Sequence, residues 1–186
     1  MNPAPAHVPP LRAAVIGLGG NIEPRLDHLR GAVHALAHVE SLRVAAVSPV
    51  YETEPWGVTN QPDFLNAAVR IETALPPLAL LDVLLDIEKR LGRDRSRDAP
   101  HWGPRIIDLD ILFIAGEVFE DRRLAIPHRR LLERDFALRP LLDVLPGAID
   151  PRDGVALARR LEQLGTPPLK VFAPPIQIAP PAPQAA

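Results

Sequence analysis

One stretch of sequence, Arg105 to Ile114, limits the choice of fold more than any other. Apart from Arg105 it contains only apolar residues and two aspartates, Asp108 and Asp110. Side chains alternate along a strand, and a strand that is apolar on both faces is typical of the centre of a sheet. We therefore predict a central strand with both acids near its start, about 7 Å apart between their Cα atoms at a rise of ~3.3 Å per residue.

The two carboxylates fall on one face of this strand, together with Ile106, Leu112 and Ile114, opposite Ile107, Leu109, Ile111 and Phe113. Like charges in this arrangement repel and are costly to desolvate unless a cation lies beside them. Mg²⁺ takes one or two carboxylates and fills its other positions with water and phosphate oxygens. An arginine that pairs with one aspartate while water covers the other explains the pattern as well, so the residues alone leave both readings open.

Apolar periodicity in the rest of the chain predicts an ordered set of elements. Strands are expected at Ala13 to Ile16, ended by Gly17, and at Val44 to Tyr51, Phe64 to Glu72 and Arg105 to Ile114. Helices are expected over about residues 25–37 and 76–91. This order is typical of an α+β, ferredoxin-like βαββαβ core. Shorter additions over residues 117–165 include a helix near residues 155–164.

Prolines mark the ends of the folded part. Residues 1–10 and 166–186 contain 11 of the 23 prolines, and proline lacks the backbone donor that helices and central strands need. We predict a flexible extension over residues 1–10, a single domain over residues 11–165, and an extended or disordered tail over residues 166–186.

Composition excludes several classes of function. The chain has no cysteine, which rules out disulfides, thiolate zinc sites and a cysteine nucleophile. No apolar run approaches the ~18 residues of a membrane helix and no secretory signal is visible, so a cytoplasmic protein without a membrane partner is expected. A net charge of −2 and a pI near 6.3 argue against nucleic acid as the main partner. Chemistry on small molecules is favoured.

Arginines and aromatic rings supply the other candidate groups. Residues 93–134 hold 9 arginines against 8 acidic residues, which suits phosphate binding beside Mg²⁺ but also fits a solvated surface. Beside the loop that follows Tyr51, Phe64 would stack on a flat heterocycle and Asn66 would pair with its edge, although core packing also explains Phe64.

Familiar cofactor motifs are incomplete. The run Gly17 to Ile22 lacks the last glycine of a dinucleotide fingerprint, and no Walker loop is present. A zinc site at His34 and His38 lacks a third ligand. Gly19, Gly20 and Asn21 are expected to form a tight turn between strand and helix, with Asn21 capping the helix or reading a ligand.

Taken together, these segments resemble the 6-hydroxymethyl-7,8-dihydropterin pyrophosphokinases, folate-pathway enzymes that transfer diphosphate from ATP to a pterin alcohol. The resemblance runs from Val15 to Leu142, and its most specific part is Trp-Gly-Pro-Arg followed two residues later by Asp-Leu-Asp. It also includes Gly19 to Asn21, Tyr51 to Thr53, Asn60 to Ala68, Glu88 to Arg93 and Ile126 to His128.

The resemblance implies a ferredoxin-like fold with adjacent ATP and pterin sites, a monomer, and two Mg²⁺ ions held by Asp108 and Asp110. Arg93 and Arg105 would contact the transferred phosphates. The residues implied for ATP are Glu88, Trp102, Ile111, Arg123, His128 and Arg134. The residues implied for the pterin are Thr53, Gly57, Phe64, Asn66 and Phe136.

The chain departs from the family pattern at a few positions. Gly20 and Phe64 stand where serine and tyrosine are usual, which removes two hydroxyls. Arg129 stands where some relatives have tyrosine, and Trp56 replaces a smaller aliphatic residue in the pterin loop. Loops 53–63 and 93–104 have the composition of lids that close before chemistry. A noncatalytic ligand sensor and a Mg²⁺-dependent phosphohydrolase are the alternative functions.

Overall fold

The computed structural model describes residues 10–93 and 103–178. In chain order its elements are β1 (Arg12–Gly20), α1 (Arg25–Ala37), β2 (Leu42–Val47), β3 (Val50–Thr53), β4 (Phe64–Thr73), α2 (Pro77–Arg90), β5 (Asp108–Ile114), β6 (Phe119–Glu120), β7 (Ala125–Ile126), α3 (Asp135–Val144), α4 (Leu157–Leu164) and β8 (Lys170–Ala173). The pairings are antiparallel, and the main sheet has the order β5-β1-β4-β3-β8, with β2 also paired to β4. The predicted α+β, ferredoxin-like fold is confirmed.

The predicted strand Val44 to Tyr51 is two strands. Pro49 has no backbone N–H to donate, and the chain breaks there into β2 and β3. The hydroxyl of Ser48 takes over the local pairing, since it accepts from the N–H of Ala68 at 2.9 Å and donates to the carbonyl of Pro49 at 2.7 Å. Both strands therefore pair with successive parts of β4.

Two apolar cores cover the two faces of the sheet. Helices α1 and α2 pack on one face through residues such as Leu29, Leu36 and Leu84. Helix α3 packs on the other through Leu138 and Leu141, and it belongs to the region where the sequence predicted only shorter additions. No helix of the described ranges is long and apolar enough to cross a bilayer.

The prediction that β5 lies at the centre of the sheet is wrong. This strand pairs with β1 alone within the main sheet and lies at its end. Its apolar pattern has another cause: helices cover both of its faces, and His128 donates its backbone N–H to the carbonyl of Leu112 at 2.9 Å on the outer edge.

The predicted faces of β5 also need a correction at its end. A register shift against β1 lies between Val15 and Ile16, which pair with Phe113 and Ile111. The extra residue, Leu112, reverses the alternation that follows it. Phe113 therefore lies in the α3 core, and Ile114 lies in the α1–α2 core rather than beside the acids.

The tail is ordered in the part that the structure describes. Residues 170–173 form β8, which adds to the edge of β3, and the Lys170 ammonium pairs with the Glu52 carboxylate. Farther along, Ile176 is 8% exposed and belongs to the α1–α2 core. Of the two predicted states, extended or disordered, residues 170–173 adopt the extended one, since proline-rich sequence favours extended backbone and a sheet edge accepts it.

Replacement of the buried tail residue tests this packing. Ile176→Ala should lower the free energy of unfolding by about 2 kcal/mol, because a buried aliphatic side chain is truncated. Val171→Ala, in the same tail at 58% exposure, should change it by about 0.5 kcal/mol or less. Urea denaturation measures both, and equal effects for the two variants would contradict the docked tail.

Candidate active site

A cavity of ≈ 210 Å³ opens on the α3 face of the sheet. Its lining comes from β1, from the loop between β3 and β4, from β4 and β5, and from the start of α3. It includes eight of the residues singled out from the sequence, namely Thr53, Phe64, Asn66, Arg105, Asp108, Asp110, Arg134 and Phe136. The fold thus brings residues from distant parts of the chain to one place.

Glycines on β1 allow this close packing. The strand does not stop at Gly17 but continues to Gly20, so the tight turn expected at Gly19 and Gly20 is not formed. Gly17 pairs with Asp110, and Gly19 pairs with Asp108. A Cβ atom at Gly20 would lie 2.4 Å from the carbonyl oxygen of Ile106. Glycine is therefore needed where the segment before β5 crosses β1.

Asn21 joins two segments that border the cavity. Its Nδ2 donates to the Gln61 Oε1 atom at 3.0 Å and to the Pro62 carbonyl at 2.9 Å, and its Oδ1 accepts from the backbone N–H of Arg105 at 2.8 Å. The side chain is buried, and α1 has no side-chain cap. Asn21 therefore ties the pterin-loop region to the phosphate-binding candidate Arg105, a role that the sequence reading did not identify.

The two carboxylates differ in their partners. Asp108 accepts a hydrogen bond from the Arg105 guanidinium at 2.6 Å, and the Arg93 guanidinium lies 3.9 Å from its other oxygen. Within residues 10–93 and 103–178, no salt bridge reaches Asp110. Burial and the negative charges of Asp108 and Glu88 raise the pKa of Asp110 to about 7. The site is therefore short of positive charge at Asp110.

This donor set fits a divalent cation that also binds phosphate. In the described parts of the chain, no group of three or more histidine, cysteine or acidic side chains could hold a metal by itself. Mg²⁺ needs only one or two protein carboxylates when substrate phosphates complete its coordination. The charge deficit at Asp110 is what such an ion would relieve.

Aromatic rings and an amide form the other side of the cavity. The Asn66 Nδ2 donates to the Thr53 Oγ1 at 2.8 Å, which fixes the amide on the cavity wall. The centroid of the Phe64 ring lies 5.0 Å from the Arg105 guanidinium carbon, and Phe136 lines the same cavity. Gly57 lies in the neighbouring loop at φ +91°, a conformation that favours glycine.

Other predicted residues lie outside the cavity. Ile111 is buried in the α1–α2 core, and the Arg123 guanidinium pairs with the exposed Asp82 carboxylate. Glu88 is fully buried and accepts from the backbone N–H of Leu109 at 2.7 Å. Trp102 lies outside the described residues, as do residues 94–101 of the second expected lid.

His128 is held as a neutral acceptor. Its Nδ1 accepts from the backbone N–H of Arg130 at 3.2 Å. Burial, with the charge of the nearby Arg134, lowers the pKa of His128 to about 4. The imidazole is consequently uncharged at neutral pH and offers a hydrogen bond rather than a charge.

The charge deficit predicts a pH effect in metal-free protein. Folding raises the pKa of Asp110 from 3.8 to about 7, so between these values the folded chain holds a proton that the unfolded chain has released. This contribution to stability falls as pH rises. Relative to the parent, Asp110→Asn should gain roughly 1 to 3 kcal/mol in free energy of unfolding from about pH 4.5 to about pH 8.

Urea denaturation with a chelator present measures this difference. Asp27→Asn is the matched control, because it removes an exposed carboxylate on α1. A gain for Asp110→Asn that is the same at both pH values would contradict the raised pKa.

Comparison with known proteins identifies the family. Residues 15–146 match the family described as 7,8-dihydro-6-hydroxymethylpterin-pyrophosphokinase (HPPK). The 2-amino-4-hydroxy-6-hydroxymethyldihydropteridine pyrophosphokinase of Methylorubrum extorquens is 48% identical over 136 residues, covering 73% of this chain and 84% of the relative. The protein of that name from Synechocystis is 39% identical over 165 residues, covering 89% of this chain and 83% of the relative.

A solved structure shares the fold. The crystal structure of a Plasmodium falciparum HPPK-DHPS triple mutant with STZ-DHP aligns with a TM-score of 0.65 at 16% identity, and covers 82% of this chain and 43% of that chain. This chain thus spans less than half of that protein, and the likeness concerns the fold. The family match and the two relatives at 48% and 39% identity show more than the fold. The chain belongs to the 7,8-dihydro-6-hydroxymethylpterin-pyrophosphokinase family.

Proposed function

We propose that the cavity on the α3 face is the active site at which this enzyme transfers diphosphate from ATP to 6-hydroxymethyl-7,8-dihydropterin. Membership of the family gives the reaction and its place in folate biosynthesis. One observation carries the assignment to this cavity: the carboxylates of Asp108 and Asp110 and the guanidinium of Arg105 line the same space as the Phe64 ring and the Asn66 amide. Groups suited to phosphate and groups suited to a flat heterocycle thus line one cavity.

The pterin would bind at the aromatic side of the cavity. A flat ring system would lie against Phe64 and Phe136, since aromatic rings favour offset stacking. The amide of Asn66, oriented by Thr53, would pair with the polar edge of the ring. Gly57 would border this site through its loop. The absence of a hydroxyl on Phe64 leaves the stacking surface intact.

The triphosphate would lie at the charged side. Arg105 and Arg93 both contact Asp108, so their guanidinium groups are held where they would also meet phosphate oxygens. Arg134 would contribute a third guanidinium from the start of α3. The remaining parts of ATP would be held by Glu88, Trp102, Ile111, Arg123 and His128, which stays a prediction.

Transfer of phosphoryl groups from ATP calls for a divalent metal. We propose that Asp108 and Asp110 hold Mg²⁺, as two ions. When bound, Mg²⁺ would neutralise charge on the phosphates. The two carboxylates share the α3 face of β5 within the cavity, and this supports the assignment.

The reaction would be an in-line displacement. The hydroxymethyl oxygen of the pterin forms a bond to the β-phosphorus of ATP, and the bond from that phosphorus to the oxygen shared with the α-phosphorus breaks. AMP leaves with that oxygen, and the hydroxyl proton passes to solvent. The protein residues act by holding the two substrates in line and by placing positive charge beside the phosphates. A monomer acting in the cytoplasm completes the proposal.

Two other functions make different predictions. A ligand sensor would bind both molecules without forming AMP, and a phosphohydrolase would release phosphate without a pterin acceptor. Incubation of the protein with MgATP and hydroxymethyl-dihydropterin distinguishes them, since only the proposed reaction yields AMP and pterin diphosphate together.

Removal of either cavity carboxylate should abolish most of the turnover. Asp108→Ala and Asp110→Ala are expected to reduce AMP formation by at least about 100-fold at saturating ATP, because the metal loses one of its two protein ligands. Asp27→Ala, on the exposed side of α1, should retain the parent rate. Circular dichroism verifies folding, and a folded Asp108→Ala protein with full turnover at low Mg²⁺ would refute the assignment.

A further inference from the structure

The indole ring of Trp56 contacts two arginines at the mouth of the cavity. The guanidinium carbon of Arg134 lies 4.8 Å from a ring centroid of Trp56, and that of Arg130 lies 5.4 Å away. Both distances are within the ~6 Å range of a cation–π interaction, for which tryptophan is the best partner. Trp56 belongs to the loop between β3 and β4, whereas both arginines precede α3. The contact therefore joins the pterin side of the site to the phosphate side.

Arg134 depends on these aromatic contacts for its orientation. Its Nε atom is buried and has no hydrogen-bond partner among the described residues. The ring of Phe136 lies 5.6 Å from the same guanidinium carbon, and burial lowers the pKa of Arg134. Among the described residues no salt bridge reaches Arg134, although the charges of Asp110 and Glu133 act on it. The two ring contacts therefore remain to orient the guanidinium group, and the indole makes the shorter one.

We propose that Trp56 is a positioning residue that holds the Arg134 guanidinium toward the nucleotide phosphates before the pterin binds. The inference rests on the proposed role of Arg134 at ATP. It makes a residue of the pterin loop a determinant of nucleotide affinity. A small aliphatic side chain at this position would leave the guanidinium without its larger stacking partner.

The effect of Trp56 on Arg134 should be measurable as a change in nucleotide affinity in the absence of pterin. Calorimetric titration of the full chain with the magnesium complex of α,β-methylene-ATP measures this affinity directly. Trp56→Leu should weaken binding by about 2- to 30-fold, which corresponds to the ~0.5 to ~2 kcal/mol of a cation–π contact. Trp56→Phe keeps an aromatic face and should lose less than Trp56→Leu.

Two controls separate positioning from a general effect on the loop. Val58→Ala changes an exposed residue of the same loop and should bind the nucleotide like the parent. In an Arg134→Ala background, Trp56→Leu should cause no further loss, because the indole acts through that guanidinium. Parent-like binding by Trp56→Leu, an equal loss in Val58→Ala, or independent losses for the tryptophan and arginine variants would overturn the proposal.

Failure of the proposed function has a separate signature. It would appear in the unmodified chain as an absence of AMP and pterin diphosphate in the transfer assay. Failure of the Trp56 assignment would leave the unmodified chain active and would show only in the variants. The transfer assay on the parent is therefore run beside the titrations.

Discussion

The close approach of the segment before β5 to the side-chain-free end of β1 underlies the whole site. Gly20 leaves room for the carbonyl of Ile106, and the backbone N–H groups of Asn21 and Ile22 donate to the carbonyl of Arg105 at 2.9 and 3.3 Å. In return, the Oδ1 atom of Asn21 accepts a hydrogen bond from the backbone N–H of Arg105. This fixed crossing sets the start of β5, so that Arg105 and the two aspartates enter the cavity from one rigid segment. A side chain at Gly20 of this chain would have to move this backbone.

Apolar spacing along the sequence predicted those helices whose formation depends on residues close together in the chain. Helix α2 was expected over residues 76–91 and spans Pro77–Arg90, because its apolar spacing and the proline at its start agree. Helix α3 was not singled out, since Pro140 lies inside it and proline disfavours a helix interior. Packing of Leu138 and Leu141 against the sheet outweighs that cost. Likewise, no local pattern shows that Lys170–Ala173 pairs with β3, about 120 residues earlier in the chain.

More of the site than of the sheet order could be predicted from the sequence. The chemistry of Asp108, Asp110 and Arg105 follows from residue type and spacing, and alternation places both acids on one face up to the bulge at Leu112. The positions of Thr53, Asn66 and Phe136 in one cavity depend on pairing between distant strands and on α3, and only the resemblance indicated them. The Asn21 clamp was missed because asparagine after a strand suggests a turn or a cap, and nothing local reveals partners 40 and 84 residues away.

The two aspartates of the cavity differ in how their negative charges are compensated. Asp108 pairs with Arg105, whereas among the described residues no salt bridge reaches Asp110. Burial and the charges of Asp108 and Glu88 raise its pKa, and those of Arg105 and Arg134 offset part of this effect. Such a site costs stability, because two partly buried like charges repel. In the proposed complex, a metal and phosphates would bring charges opposite to those of the carboxylates and the guanidinium groups, so that binding would relieve this repulsion. A protein cation beside Asp110 would already offset its negative charge and would leave less repulsion for a bound cation to relieve.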